Sequence, residues 1–248
     1  GMTARSWKLG HVIAQQALGM RRTISKADFN LVDWDKNGQA KVLAAILFRF
    51  GRDGDYQTYL DYVNALSEAD LGELAHDVMA RRGKFDQPLR EFEYASMTFD
   101  LVMDQGAYFE FKRHRMMTQT VHPLTPVNGF AVPKAISGAG CEADYLSAMR
   151  RAAEVYHEIA AHHPDAASYI LPNGFNRRVL CTLNLREFFN FYRLRAAENA
   201  HFSIRRIALH MAEAIEGIYP ILGAYLDRPE DPSWRDIESE YFSETKKF

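Results

Sequence analysis

The most regular signal in the chain is a change of hydrophobic period a little before its middle. In Glu93-Tyr94-Ala95-Ser96-Met97-Thr98-Phe99-Asp100-Leu101-Val102-Met103, the residues Met97, Phe99, Leu101 and Met103 alternate with small or polar ones. That period of two predicts a half-buried strand. Before it, helical spacing prevails. The run Val42-Leu43-Ala44-Ala45-Ile46-Leu47-Phe48 predicts a largely buried helix from about Ala40, and a second helix covers Thr58 to Leu66. A third starts at Ser67, where Asp70 three residues on gives a weaker form of the capping box, and ends near Gly83. Nearer the N-terminus, His11 to Met20 reads as a short helix. Phe29-Asn30-Leu31-Val32-Asp33-Trp34 reads as a strand, with Asp35-Lys36-Asn37-Gly38 as a turn.

Past the alternating strand, Asp104 is placed to cap a short helix, Gln105 to Lys112, that delivers Arg113-His114-Arg115 at its C-terminus. Cations are well tolerated there. His122 to Pro133 holds three prolines and one glycine and reads as an irregular loop. Glu142 to His163 predicts a helix whose apolar stripe is Tyr145, Met149, Ala152 or Ala153, Tyr156 and Ile159 or Ala160. Arg178-Val179-Leu180-Cys181-Thr182-Leu183 reads as a second strand. Asn184, with Glu187 three residues on, then marks the N-terminus of a helix from Leu185 to Arg195. A long helix follows from about Asn199 to Tyr219. Helices separated by at least two strands, without βαβ alternation, point to an α+β fold, and the length allows one large domain or two small ones.

Composition narrows the function classes. The 248 residues are 47% apolar and 25% charged, ordinary values for a soluble globular protein, and Gly1-Met2 reads as an expression remnant before a native start. A net charge of −2 gives no global attraction to nucleic acid or an anionic membrane, so an anion site must be local. No apolar run is long enough to span a bilayer. Cys141 and Cys181 form neither a metal spacing nor a disulfide framework, which suits a reducing cytoplasm.

Three groups of residues carry candidate chemistry. The first is Phe111-Lys112-Arg113-His114-Arg115-Met116-Met117-Thr118, whose Arg-His-Arg offers several donors suited to phosphate oxygens or ring carbonyls. The second is the stripe Arg186, Asn190 and Arg193 on the helix from Leu185, opposite Leu185, Phe188, Phe189 and Tyr192. It either binds an anion and a planar amide edge in a cavity or is a solvated face; Arg195 points elsewhere. The third is a pair of Glu-x-x-His sequences, Glu73 with His76 and Glu154 with His157, the pattern of di-iron carboxylate bundles. The strand after Gly83 interrupts any four-helix arrangement, so di-iron chemistry is a remote alternative and no metal is expected. No Gly-x-Ser-x-Gly, dinucleotide or Walker sequence occurs, and Cys181 lies in an apolar strand where a thiol is inert.

The run Arg113-His114-Arg115-x-x-Thr118 resembles the Arg-His-Arg-x-x-Ser signature of the flavin-dependent thymidylate synthases. Phe92-Glu93-Tyr94 resembles the family's Phe-Glu-His at the start of the preceding strand. Leu171-Pro172, Asn184-Leu185-Arg186, Phe189-Asn190-Phe191, Leu194-Arg195 and Ile204-Arg205 follow in family order. The resemblance runs from Phe92 to Tyr219, with a vaguer fit from Lys41. It implies a single domain over residues 1–248 built on a mixed β-sheet with helical segments, a homotetramer with FAD held between subunits, and reductive methylation of dUMP using methylenetetrahydrofolate and NADPH. It further implies that Glu93, Arg113, His114, Arg115, Asn184, Arg186 and Asn190 contact FAD. Arg113 and Arg195 would face the nucleotide, with Arg195 stabilising charge on the uracil ring.

Departures from the family pattern are concentrated on the nucleotide side. Thr120, Val121, Pro123 and Thr125 replace an Asn-Glu pair, a Ser and an Arg, Glu110 replaces a Gln, and Ser168 replaces a second Arg. Each lost charge-assisted phosphate contact is worth about 1.5–3 kcal/mol. The pattern describes a diverged member whose altered nucleotide motif leaves the substrate open between dUMP and another nucleotide, with His122, Lys112 or Arg178 as substitutes for the lost phosphate ligands. The alternative is a non-catalytic flavin- or nucleotide-binding paralogue that pairs with an active synthase subunit.

Overall fold

The computed structural model describes residues 4–19, 28–83, 86–226 and 232–246. The chain opens with α1 (Ala4–Gly19), β1 (Phe29–Trp34), α2 (Gly38–Phe50), α3 (Tyr56–Ala65) and α4 (Glu68–Met79). A 3₁₀ turn (Arg90–Tyr94) leads into β2 (Ser96–Asp104), α5 (Gln105–Phe111) and β3 (Thr118–Val121). Next come β4 (Phe130–Pro133), α6 (Lys134–Gly138), α7 (Glu142–Ala160) and α8 (Pro164–Ala167). The last part holds β5 (Asn176–Asn184), α9 (Leu185–Arg195), α10 (Phe202–Ile218), α11 (Pro220–Gly223), α12 (Trp234–Tyr241) and β6 (Phe242–Lys246).

The α+β class holds. Strands β1-β2-β5-β3 form one sheet and β4-β6 a second, with every pair antiparallel among the described residues. The period-two pattern acts as expected: Met97, Phe99, Leu101 and Met103 of β2 point into the core with Val179, Cys181 and Leu183 of β5. On the other face, Thr98 and Thr182 share a hydroxyl hydrogen bond at 2.9 Å. Arg178 grips Asp100 there through two 2.7 Å bonds. The core face is covered by α2, α9 and α10, which bury Leu43, Phe188, Phe191, Ile207 and Met211 among others. Each such side chain contributes about 1.5–3 kcal/mol by leaving water. A smaller cluster collects Met149, Ala152 and Ala153 of α7 with Leu124, Phe130, Val132, Leu171 and Phe175.

Both central strands run straight into helices through a side-chain cap. Asp104 accepts from the Ala107 amide at 2.9 Å, and Asn184 accepts from the Glu187 amide at 2.8 Å, each satisfying a donor the first helical turn leaves free. Because β2 and β5 are antiparallel, with Ser96 opposite Asn184 and Asp104 opposite Asn176, α5 and α9 leave opposite ends of that ladder. Phe111 of α5 meets Phe191 of α9 edge-on at 5.4 Å. At the start of α2, Gly38 lies under Tyr219, whose hydroxyl donates to the Asp35 carbonyl at 2.8 Å. A Cβ at residue 38 would come within 2.5 Å of that hydroxyl.

Several expectations need correction. Glu93 and Tyr94 belong to a 3₁₀ turn, and the strand begins only at Ser96. The segment from His122 to Pro133 is not all loop, since Pro126–Asn128 is a 3₁₀ turn and Phe130–Pro133 pairs with β6. Pro123 and Pro126 precede the paired residues, and Pro133 stands at the register shift that ends the strand, where a missing donor is tolerated. The helix at Ser67 ends at Met79, short of Gly83, and the one from Glu142 ends at Ala160. The long C-terminal helix begins at Phe202 behind a His201 cap, past Asn199. Met20, the end of the first expected helix, and Gly1-Met2 lie outside the described residues.

Candidate functional site

Strand β5 and helix α9 build the wall of a pocket of about 360 Å³, lined by Gln87, Glu93, Met116, Asn184, Arg186, Glu187 and Asn190. Asn184 is there because it caps α9; Arg186 and Asn190 share a face because they stand four residues apart on it. Arg186 spans the gap to the 3₁₀ turn: Nε donates to the Pro88 carbonyl at 3.0 Å and Nη1 to Glu93 Oε1 at 3.2 Å. Arg90 Nε lies 3.6 Å from the same Glu93 oxygen. Glu93 is therefore clamped between two guanidinium groups at the pocket rim. It is shared with a neighbouring cleft of about 410 Å³ lined by Arg90, Glu91 and Tyr94. The stripe on α9 is split, because Arg193 lines a different, water-sized pocket with Arg82 and Tyr192.

Behind the pocket lies a chain of buried polar groups. His114, at 6% exposure, presents Nδ1 to Glu187 Oε1 at 3.2 Å, and Arg195 Nε donates to His114 Nε2 at 3.0 Å. An Nε2 that accepts from a guanidinium carries the lone pair, so the network assigns the proton to Nδ1, facing Glu187. Arg195 continues the chain: Nη1 donates to Glu110 Oε2 at 2.6 Å and Nη2 to the Glu110 carbonyl at 3.4 Å. Phe191 supports the imidazole edge-on at 4.9 Å. The turn after α5 is tied to β3 by Gln119, whose Nε2 donates to the Phe111 and His114 carbonyls at 3.3 and 3.1 Å.

Of the residues proposed for the cofactor, Glu93, Asn184, Arg186 and Asn190 meet at one pocket. His114 stands behind it in the buried network, and Arg195 joins that network rather than the pocket lining. Arg113 and Arg115 are exposed on the turn and line none of these pockets. Sequence reasoning missed Glu187 and Gln87 as site residues; it read Glu110 only as a replacement for a family Gln and gave Met116 no role of its own. Glu187 carried a signal, its place three residues after Asn184, but the carboxylate turns to His114 instead of back to the cap. No local pattern marks the Glu110–Arg195 pairing, which joins residues 85 apart in sequence.

The altered stretch after Thr118 is strand β3, with Thr118 opposite Thr182 and Val121 opposite Val179; the His122 amide continues the ladder to Arg178 at 3.0 Å. Those backbone groups are committed to the sheet. Arg178 is bound by Asp100, whose hydrogen bond holds its pKa above the usual value, and the Lys112 ammonium sits 4.5 Å over the Phe109 ring. Ser168 opens a 3₁₀ turn after α8. Cys181 is fully buried, and burial pushes its thiol up to about 12, so it supplies no thiolate. Glu154 pairs with Arg151 at 3.2 Å. Among the described residues no group of three or more His, Cys, Asp and Glu is arranged to hold a metal, and no helix is long and apolar enough to cross a membrane.

Comparison with known proteins adds two kinds of relative. The chain is 32% identical over 197 residues to a UPF0159 protein of Chlamydia muridarum, covering 79% of this chain and 37% of that protein. It is 31% identical over 196 residues to a UPF0159 protein of Thermoplasma acidophilum, covering 77% and 39% respectively. It thus spans less than two fifths of these relatives. A flavin-dependent thymidylate synthase of Geobacter sulfurreducens is 27% identical over 140 residues, covering 52% of this chain and 60% of the relative. The family model described as thymidylate synthase complementing protein matches residues 30–221. That span holds the whole pocket and the whole His114 network, and the chain belongs to the thymidylate synthase complementing protein family, as a diverged member of the flavin-dependent thymidylate synthases.

Proposed function

We propose that this chain binds FAD at the Arg186–Asn190 pocket and acts as a thymidylate synthase-like flavoenzyme. The reaction is reductive methylation of dUMP to dTMP, with methylenetetrahydrofolate as the one-carbon donor and NADPH as the reductant. The convergence of Glu93, Asn184, Arg186 and Asn190 on one pocket carries this reading. The donor set fits a flavin edge, which alternates carbonyl acceptors with one N–H donor. Asn190 offers both an amide donor and an acceptor, Arg186 keeps N–H groups beyond those given to Pro88 and Glu93, and Met116 adds an apolar surface. FAD, when bound, supplies the hydride chemistry.

The chain's own residues bind and orient. Arg186 and Asn190 fix the ring edge, Glu93 fixes Arg186, and the buried His114 holds Arg195 in a single orientation toward the nucleotide ring. Arg113 and Arg115 reach the pocket of a neighbouring subunit in a homotetramer; both are exposed and outside their own pocket, which supports that arrangement. Two free cysteines support a cytoplasmic setting.

The test is an absorbance spectrum of purified protein loaded with FAD, then titrated with dUMP. A retained flavin band that shifts with dUMP, together with NADPH-dependent formation of dTMP, is the expected result. Asn190→Ala should weaken FAD retention about tenfold or more, the loss of one or two polar contacts in a desolvated site. Protein that takes up no flavin overturns the reading. Bound flavin without dUMP turnover removes the synthase activity and leaves a flavin-binding paralogue, whose mark is stimulation of an active synthase on mixing.

A further inference from the structure

The buried chain behind the pocket makes a statement about ligand charge that follows from its geometry. The Arg195 guanidinium uses one N–H of each nitrogen internally: Nε on His114, Nη1 and Nη2 on Glu110. Its side chain is 15% exposed and that of Glu110 27%, so the pair is not sealed from solvent. His114 accepts from Arg195 and so carries no charge in this arrangement, while Glu187 adds a second carboxylate 3.2 Å from its other nitrogen. Two carboxylates thus stand against one guanidinium. An acceptor reaching the two remaining N–H groups of Arg195 finds a good donor whose positive charge is already matched at 2.6 Å.

We propose that Glu110 is a specificity-determining residue that tunes Arg195 to a neutral ring carbonyl and against a ring bearing a full negative charge. This rests on the reading of the site as a flavin and nucleotide pocket. A neutral pyrimidine edge gains a hydrogen bond from Arg195 and meets little repulsion, because a carbonyl dipole interacts weakly with the nearby carboxylate. An anionic ring on the same N–H groups lies within one guanidinium width of Glu110, where two like charges in a partly desolvated site repel strongly. Glu110 therefore lowers the electrostatic pull of Arg195 on charge developing in the ring, so a productive ligand needs less of it. The carboxylate is also a fixed anchor for Arg195, acting through it rather than on the ligand.

The experiment compares wild-type protein with Glu110→Gln, which keeps the shape and a hydrogen-bond acceptor but removes the charge. FAD-loaded protein is titrated calorimetrically with dUMP and with 6-hydroxy-dUMP, which carries the same phosphate but a ring that is an anion at neutral pH. The expected result is a rise of roughly tenfold or more in the affinity ratio of 6-hydroxy-dUMP to dUMP in E110Q, from removal of one like charge nearby. A ratio unchanged within about threefold, with both nucleotides binding, overturns the inference. Failure of both nucleotides to bind either protein overturns the nucleotide reading itself, and the two failures are thereby distinct. A second measurement reads the ion pair directly: phenylglyoxal labelling of Arg195, followed by peptide mass spectrometry in E110A whose urea midpoint shows it folded under the labelling conditions, should accelerate at least severalfold. Equal labelling in wild type and E110A shows that the ion pair does not hold Arg195 and sinks the proposal.

Discussion

His114 is 6% exposed, and both of its ring nitrogens are engaged, one by Glu187 and one by Arg195. Substituting it by alanine removes the imidazole from contact with Phe191 and strips Glu187, 9% exposed, of its side-chain partner. A hydrogen bond to a charged group is worth about 1.5–3 kcal/mol, and leaving a buried charge unpaired costs about 3–5 kcal/mol in all. The second figure already contains the first, so His114→Ala is expected to lose at least about 3–5 kcal/mol of unfolding free energy, with the cavity pushing toward the upper end. His114→Asn is the informative intermediate: its amide N–H can reach Glu187 in place of Nδ1–H, while the acceptor for Arg195 is lost. Its expected cost is about 1.5–3 kcal/mol, one charged hydrogen bond. The assay is urea unfolding at neutral pH with an unchanged m value. A double-mutant cycle with Glu187→Gln should show a coupling of about 1 kcal/mol or more. A loss below about 1 kcal/mol for His114→Ala, or zero coupling to Glu187, refutes the assignment of a structural network.

Other expectations follow from single contacts. Burial between Phe29, at 3.6 Å, and Trp234, at 3.9 Å, pushes His210 down to about 4, with Arg206 adding to the push; Asp28, Glu213 and Arg235 also face it. A folded-state pKa below the unfolded value favours the neutral ring, so this stability is present above about pH 6.5 and is lost as pH falls from there toward 4. His210→Phe keeps the stack and should flatten the stability profile in that window; equal slopes for both proteins would refute the assignment. Gly38→Ala should destabilise by about 1–3 kcal/mol, since the added methyl meets the buried Tyr219 ring with little room to yield. Tyr219→Phe should cost about 0.5–1.5 kcal/mol for the lost bond to Asp35, measured in the same urea experiment. Arg178→Lys should cost about 1 kcal/mol, because a lysine cannot reproduce the two-point grip on the half-buried Asp100. An unchanged midpoint would show that grip to be idle.

Local grammar and long-range pairing divide this protein cleanly. The alternation in β2, the Asn184 cap and the limits of α9 at Leu185 and Arg195 were all legible, because each depends on residues within a few positions. Strand β3 was not legible: Thr118-Gln119-Thr120-Val121 has little hydrophobic signal and becomes a strand because the edge of β5 is there to pair with it. The same holds for β4, which the prolines before it and at its end disguised until β6 supplied its partner more than a hundred residues later.

For the site, the sequence by itself determined the chemical inventory. An Arg-His-Arg turn, an Asn184 cap and an Arg186–Asn190 face are fixed by composition and helical spacing, and spacing alone brings the last three together. Only the tertiary structure decided how those groups are used. It turned His114 inward to a buried neutral link, left Arg113 and Arg115 on the surface, and set Glu110 against Arg195. The physical reason is that a charge's role depends on what desolvates and neutralises it. Here those partners lie 73 to 85 residues away, where no local pattern can reach.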